Sequence, residues 1–314
     1  MTLTLGSRRG GSAETVGPSR PRRGRREQHR HQGAALLFLL PYLLFLLAFA
    51  VVPLLYGAYM SLQKTGGGFT LDNWGAVLGD DRLTEAVAHV GVFLLAWLPS
   101  LALLVVATAL TLHARRGRFG AVMRFVYYLP GAVTGAAAAL LWLFMISPDM
   151  SPFGPLLRAV GIHSATDAIA GSDLPFVLAV MSLAIHAGGW IVVLYGALVV
   201  LPDDLIEAAA LDGCSAWQLA WRIKLPLIRR WVIFMLITCF AVGSQVFVEP
   251  EVMSTGAPGA ISPTWSVNQL AYYYATQELD FGKASALSLL LLAAGTLAAF
   301  LLVFGVRFYR VDER

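Results

Sequence analysis

LPFVLAVMSLAIHAGGWIVVLYGALVVLP, residues 174–202, contains no Asp, Glu, Lys or Arg. An ionised side chain at bilayer depth costs at least ~2.5 kcal/mol, so a charge-free stretch of this length reads as a membrane-crossing helix. Five further uncharged stretches flank it: Gly33 to Gln63, Ala86 to Ala114, Phe125 to Pro148, Trp231 to Val248 and Ala284 to Val306. Backbone groups in lipid must bond within the segment, and no alternating barrel pattern is visible. The expected class is an all-α polytopic membrane protein with six transmembrane helices. Totals agree: 57% of the 314 residues are hydrophobic and only 13% charged, half the share of a soluble domain, which excludes an ordinary soluble enzyme. The uncharged Val252 to Gln277 holds Gly256, Pro258, Gly259, Pro263 and Asn268, and is expected to be a loop with a short helical part.

The net charge of +4 reports topology and not a polyanionic partner. Eight arginines lie in residues 1–32. Four basic residues follow in the second loop (Arg115, Arg116, Arg118, Arg124), four in the fourth (Arg222, Lys224, Arg229, Arg230) and three at the C-terminus, against Lys64, Arg82, Arg158 and Lys283 on the other side. The positive-inside rule places both termini in the cytoplasm. Residues 1–32 form an expected disordered Arg-rich tail, read as an anchor and not as a cleaved leader, since the first apolar run starts deep and is long. The expected division is then 33–63 first helix, 64–85 extracytoplasmic loop, 86–310 a five-helix core, and 311–314 a cytoplasmic end. Cys214 and Cys239 lack metal-ligand spacing and read as packing residues; no metal site is expected.

Directly after the opening stretch comes Asp203-Asp204-Leu205-Ile206-Glu207-Ala208-Ala209-Ala210-Leu211-Asp212-Gly213, continuing through Cys214, Trp217, Trp221 and Arg222 to Ile223-Lys224-Leu225-Pro226. Pro202 cannot continue the preceding helix, Asp203 or Asp204 can cap a new one, and Glu207 is then expected in its first turn, where a negative charge is favoured. Gly213 permits a sharp turn, and Pro226 is expected to separate the loop from the fifth span. The pattern is a short helix, a glycine break and a second short helix, with Ala, Leu, Trp and Ile faces that suit a protein partner; a helix lying on lipid is the alternative.

Glu207-Ala208-Ala209, Gly213 and Ile223-x-Leu225-Pro226 resemble the EAA motif of the transmembrane subunits of binding-protein-dependent ABC importers. Arg124-Phe125-Val126-Tyr127-Tyr128-Leu129-Pro130, Asn73-Trp74, Val246-Phe247-Val248-Glu249-Pro250 and Phe281-Gly282-Lys283-Ala284-Ser285-Ala286 are similar to the carbohydrate group, of the maltose and glycerol-3-phosphate type. The resemblance spans most of residues 34–310. It implies the type I importer transmembrane-domain fold over 86–310, with 203–226 as a cytoplasmic coupling loop. Glu207, Ala208, Ala209, Asp212, Gly213, Ile223, Leu225 and Pro226 would then be the ATPase-coupling residues. The implied partners are a second permease subunit, two ATPase subunits and an extracytoplasmic solute-binding protein. The chain has no phosphate-cradling glycine-lysine loop, so ATP and Mg would be bound by the ATPase, no cofactor by this chain, and no catalytic residue is expected.

A neutral sugar favours aromatic faces and uncharged hydrogen-bonding groups, which makes His186, Trp190, Tyr195, Ser244 and Gln245 the candidate substrate-path residues, with helix packing as the competing reading of each. Glu249, Asn268 and Tyr272 to Tyr274 are candidate contacts for the binding protein. Polyamine or peptide import is the runner-up, although the spans carry few acids. An ion-coupled secondary transporter would need buried ionisable groups that the spans lack, and no HExxH or Gly-x-Ser-Gly arrangement supports an intramembrane enzyme.

Overall fold

The computed structural model describes residues 38–64, 67–114, 118–170 and 173–305; the Arg-rich tail and the C-terminal 311–314 lie outside the described residues. The chain divides after Leu55 into two units. Helix α1 (Phe38–Ser61) starts in the first of them and is apolar on every side. It contains a π-helical turn at Leu47–Val51, where the Val52 N–H bonds back to the Leu47 carbonyl, directly before Pro53. The wider turn absorbs the register change that a residue without an N–H forces on a helix.

The second unit contains α2 (Asp72–Leu78), α3 (Asp81–Ala114), α4 (Arg118–Tyr128), α5 (Gly135–Ile146), α6 (Gly154–Ala159), α7 (Ala165–Ile169) and α8 (Leu174–Val199). It continues through α9 (Asp203–Leu211), α10 (Ala216–Gly243), α11 (Val248–Gly256), α12 (Val267–Thr276) and α13 (Phe281–Gly305). Among the described residues no strand forms beyond one antiparallel bridge between Gln63 and Phe69. α3 and α8 are the central pair. Phe93, Trp97, Leu101 and Val105 recur every four residues along the buried face of α3, and Met181, Ile191, Leu194 and Leu198 line that of α8. A second cluster joins Val77, Ala86, Leu270, Tyr274 and Leu287 of α2, α3, α12 and α13. Asn73 closes the segment after α1 by donating from Nδ2 to the Ser61 and Gln63 carbonyls, both at 2.9 Å.

Four expectations need correction. The third apolar run, Phe125 to Pro148, is not one straight helix. It ends in a 3₁₀ turn at Leu129–Ala132, passes through extended Val133 and Thr134, and restarts as α5 at 99° to α4. Among the described residues there are thus five candidate spans, and six if the bent pair counts as one. Pro130 removes a helical donor, and extended backbone at two successive residues terminates the helix. The region 64–85 is not all loop: it holds α2 and the first turn of α3, nucleated by Asp80, whose Oδ1 accepts from the Arg82 backbone N–H at 2.9 Å. Val252 to Gln277 contains most of two helices, α11 and α12, the second opened by a Ser266–Gln269 capping box. Pro226 does not separate loop from span. α10 runs from Ala216 to Gly243 without interruption, because a π-helical stretch at Leu219–Lys224 accommodates the proline just after it.

Helices pack closely where glycine allows. A Cβ on Gly131 would lie 2.6 Å from the Ile185 carbonyl oxygen, and one on Gly188 would collide with the backbone of Tyr127 and Tyr128. The bend between α4 and α5 is therefore seated on the middle of α8. Ile185 is roughly 17 Å from the start of that helix at 1.5 Å per residue. In lipid, where apolar burial drives no association, such small-residue contacts are a main source of helix–helix attraction.

Candidate functional site

The loop that follows α8 is the most distinctive external feature. α8 stops at Val199, Pro202 intervenes, and α9 begins at Asp203. Asp203 and Asp204 lie inside the first turn instead of preceding it, where their charges still favour the helix N-terminus, and Glu207, expected in that turn, is instead the fifth helical residue, exposed at the start of the second turn. At the other end the Cys214 N–H bonds to the Ala209 carbonyl at 3.0 Å, with Gly213 at φ +76°. This is the Schellman arrangement, which places the residue after the cap in the left-handed region that glycine occupies without penalty. A capping box between Ser215 and Gln218 then opens α10.

Of the predicted coupling residues, Glu207, Ala208, Asp212, Gly213 and Pro226 are exposed, Ile223 and Leu225 half-buried, and Ala209 is buried and packs inward. The sequence reading missed Leu211. It is 89% exposed beside the glycine turn, and Trp217 is 70% exposed on the next helix. An apolar residue next to a predicted glycine turn was the available signal. Leu211 and Trp217 are both large apolar side chains projecting into the open from a loop between charged residues.

Beneath the loop lies a polar cluster that no motif indicated. Buried Lys224 places Nζ 3.0 Å from Nδ1 of buried His113, at the end of α3. The His113 ring meets Tyr195 of α8 edge-on at 6.2 Å, and the Arg124 guanidinium of α4 sits 4.0 Å over the same Tyr195 ring. The second half of the loop is thus joined to three other helices. Tyr195 is one of the path candidates, and the structure places it in this cluster near the loop end of α8, away from the middle of the bundle.

The remaining path candidates lie on α8 and just after α10. His186 is in the middle of α8, with Nδ1 2.9 Å from the Ser182 carbonyl and its ring 5.1 Å from that of Trp97. A carbonyl only accepts, so Nδ1 donates, and a neutral ring presents Nε2 as an acceptor. Trp97, whose buried indole N–H has no hydrogen-bond partner, was not singled out by the sequence. Trp190, one turn on, meets Phe234 of α10 edge-on. Ser244 and Gln245 follow the far end of α10; the Ser244 hydroxyl bonds to the Ala241 carbonyl, and the Gln245 carbonyl accepts from Asn268. His186 and Trp190 lie beside the bend at residues 129–134, and Gly243, directly before Ser244, abuts the same Trp97 ring that meets His186.

At the far end, the Arg82 guanidinium grips Asp80 through Nε and Nη2, the latter at 2.7 Å, and reaches Glu278 at 3.0 Å. Lys283 bridges Glu278 and Asp280, and the Tyr274 hydroxyl donates to Asp80 at 2.7 Å. The hydrogen bonds from Arg82 hold the Asp80 carboxyl well below the usual range, and burial, then the bond to Asp80, pushes the Tyr274 phenol above its ordinary value. Tyr274 is fully buried in this clasp and is not a surface contact; Tyr272 is exposed and packs against Phe247. Among the described residues no group of His, Cys, Asp or Glu is arranged to hold a metal ion.

These features define a polytopic helical membrane protein with an exposed helix–glycine–helix loop at one end of its bundle. The profile described as "Binding-protein-dependent transport system inner membrane component" matches residues 74–311, and the chain belongs to that family. Its members are transport permeases and not enzymes, with ATP hydrolysis in a separate subunit. The chain is 32% identical over 233 residues to the sn-glycerol-3-phosphate transport system permease protein UgpA of Brucella suis, covering 71% of this chain and 75% of that protein. It is 23% identical to the osmoprotective compounds uptake permease protein GgtC of Synechocystis, covering 88% and 99%. A bacterial ABC transporter that imports the acidic polysaccharide alginate has the same fold: TM-score 0.74, 16% identity, 91% of this chain and 99% of that one.

Proposed function

We propose that this chain is one of two permease subunits of an ATP-driven importer for a carbohydrate or polyol, delivered by an extracytoplasmic binding protein. Both termini and the 203–226 loop face the cytoplasm, as the distribution of Lys and Arg favours. The observation that carries the reading is the loop itself: a rigid helix–Gly213–helix knob, apolar at Leu211 and Trp217, with exposed Glu207 beside it. It would sit in a cleft of the ATPase, with Glu207 facing a basic group there. Closure of two ATPase subunits on ATP would then displace α9 and, through the Lys224–His113–Tyr195–Arg124 cluster, shift α3, α4 and α8 together. ATP binding supplies the free-energy difference between the two states.

The carbohydrate reading draws on the relatives, which include the alpha-glucoside transport system permease protein AglF of Rhizobium meliloti, 30% identical over 204 residues. The bend at 129–134 supports a path through the middle of the bundle. Non-helical backbone at bilayer depth is tolerated only when covered by protein or lining a water-filled space, and residues 132–134 are exposed in the single chain. His186 and Trp190 at this level offer an acceptor and an aromatic face to a sugar. The test is uptake and ATPase recruitment in Glu207→Lys and Gly213→Asp complexes. Both activities fall while membrane insertion persists; unchanged uptake refutes the coupling role.

A further inference from the structure

Among the described residues, one non-glycine residue has a left-handed backbone: Leu279, at φ +54°, in the turn between α12 and α13. Helices commonly end on such a residue, but glycine or asparagine usually takes the position, because a bulky side chain there is strained. Packing does not offset that strain, since the Leu279 side chain is 70% exposed. The conformation is imposed by the neighbours. Arg82 and Lys283 hold the Glu278 carboxylate, the Asp280 N–H bonds to the Tyr274 carbonyl at 2.9 Å, and Asp280 Oδ1 accepts from the Lys283 N–H at 3.0 Å. The clasp is closed on itself; what it turns outward is Leu279. Backbone strain of this kind persists only where the surroundings over-determine it, and it concentrates at functional positions.

Leu279 lines a polar notch of about 340 Å³. Glu278, Asp280 and exposed Phe281 contribute from the same turn, and Gln63 and exposed Lys64 from the segment that follows α1. Lys64 forms no ion pair with any of the described residues. Two observations select the occupant. Ionised groups are costly at bilayer depth, so Lys64, Glu278, Asp280 and Lys283 set the notch beyond the hydrocarbon, out of reach of a lipid tail. The notch is also built from helix ends and not from flanks: the residues after α1 and the turn that leads into α13. A neighbour embedded in the membrane packs along flanks, whereas a surface of helix ends beyond the bilayer faces a soluble protein.

We propose, on the reading that an extracytoplasmic binding protein delivers the substrate, that this notch seats that protein, with Leu279 and Phe281 as apolar anchors and Lys64 facing an acidic group at the edge of the contact. An apolar centre inside a charged border is the anatomy of a protein–protein contact. The strained turn pre-organises it, because the ordering cost is met on folding and not on binding.

The test is the affinity of the complete transporter, reconstituted in nanodiscs, for its binding protein. Leu279→Asn suits the left-handed backbone and removes the apolar contact, so the dissociation constant rises about tenfold while the thermal midpoint holds or rises. A purely structural role would lower the midpoint instead. Lys64→Glu slows association about fivefold at low ionic strength and less at high. A photoreactive phenylalanine analogue at Phe281, all other positions being wild type, captures the binding protein. Unchanged affinity in Leu279→Asn, a lowered midpoint with unchanged affinity, or capture of the second permease in place of the binding protein overturns the proposal. Wild-type uptake that needs no binding protein overturns the reading beneath it, and the proposal with it.

Discussion

The two ends of the bundle are built on opposite principles. At the far end, Asp80, Arg82, Glu278, Asp280, Lys283 and Tyr274 satisfy one another across α3, α12 and α13, and the Tyr274 ring is fully buried among them. At the loop end, Leu211 and Trp217 project outward and Glu207 is exposed. A network that satisfies its own charges spends its interaction free energy on the fold, whereas a surface that leaves apolar groups outside holds that free energy for a partner. The chain is thus closed where α3, α12 and α13 meet and open at the 203–226 loop.

The largest effect is expected where both ends depend on the same packing. Gly188→Leu places side-chain atoms against the Tyr127 and Tyr128 backbone in the middle of the bundle. Its cost, well above the 1–3 kcal/mol of ordinary overpacking, should abolish accumulation in the membrane, measured by fluorescence-detected chromatography of the solubilised chain. If Gly188→Leu accumulates normally, α4 and α8 are not held together as described.

Next comes Gly213→Asp, which separates the two ends. The left-handed backbone costs a non-glycine residue about 1–2 kcal/mol, too little to unfold the protein but enough to distort the knob. Uptake is expected to fall to background with the thermal midpoint nearly unchanged. The converse variant is Arg82→Gln, which breaks the clasp. It should lower stability by about 1–3 kcal/mol, because charged partners are left without their donor, while ATPase recruitment stays intact. A recruitment defect in Arg82→Gln would dissolve the distinction between the ends.

The smallest effect is the pH response of the clasp. Asp80 is depressed, so its contribution is present above the unfolded value near 3.9 and is lost only as pH falls through its much lower folded value. Tyr274 is raised, so its contribution is complete below about pH 10 and is lost as pH rises beyond that. The stability difference between wild type and Tyr274→Phe should therefore be flat from about pH 5 to 9. A step within that window would mean that another group governs the clasp.

The spans were readable because a charge-free run leaves a chain in lipid no alternative to helix, and Pro202 with Gly213 marked the helix–glycine–helix loop in the sequence. The bend at 129–134 was not read, since hydropathy carries no direction, although Pro130-Gly131 inside an apolar run was a visible warning. Pro226 misled in the other direction. A proline stops a regular α-helix, but the preceding π-helical stretch lets α10 continue. Tyr274 looked like one of three surface tyrosines because its partner, Asp80, is 194 residues away. Lys224 and His113 carry no local signal of being buried together, and the approach of the α10 end at Gly243 to Trp97 beside His186 shows only once α3, α8 and α10 are placed.

The central claim, that the 203–226 loop is the ATPase dock, is tested most directly by Leu211→Asp. The side chain is 89% exposed, so the charge leaves the fold of this chain unaltered. Affinity purification of the tagged variant, co-expressed with its partner subunits, is expected to recover the second permease at the wild-type level and less than about a tenth of the ATPase, the loss of an apolar anchor costing more than ~1.4 kcal/mol. Recovery of the ATPase at the wild-type level, with undiminished uptake, would contradict the claim.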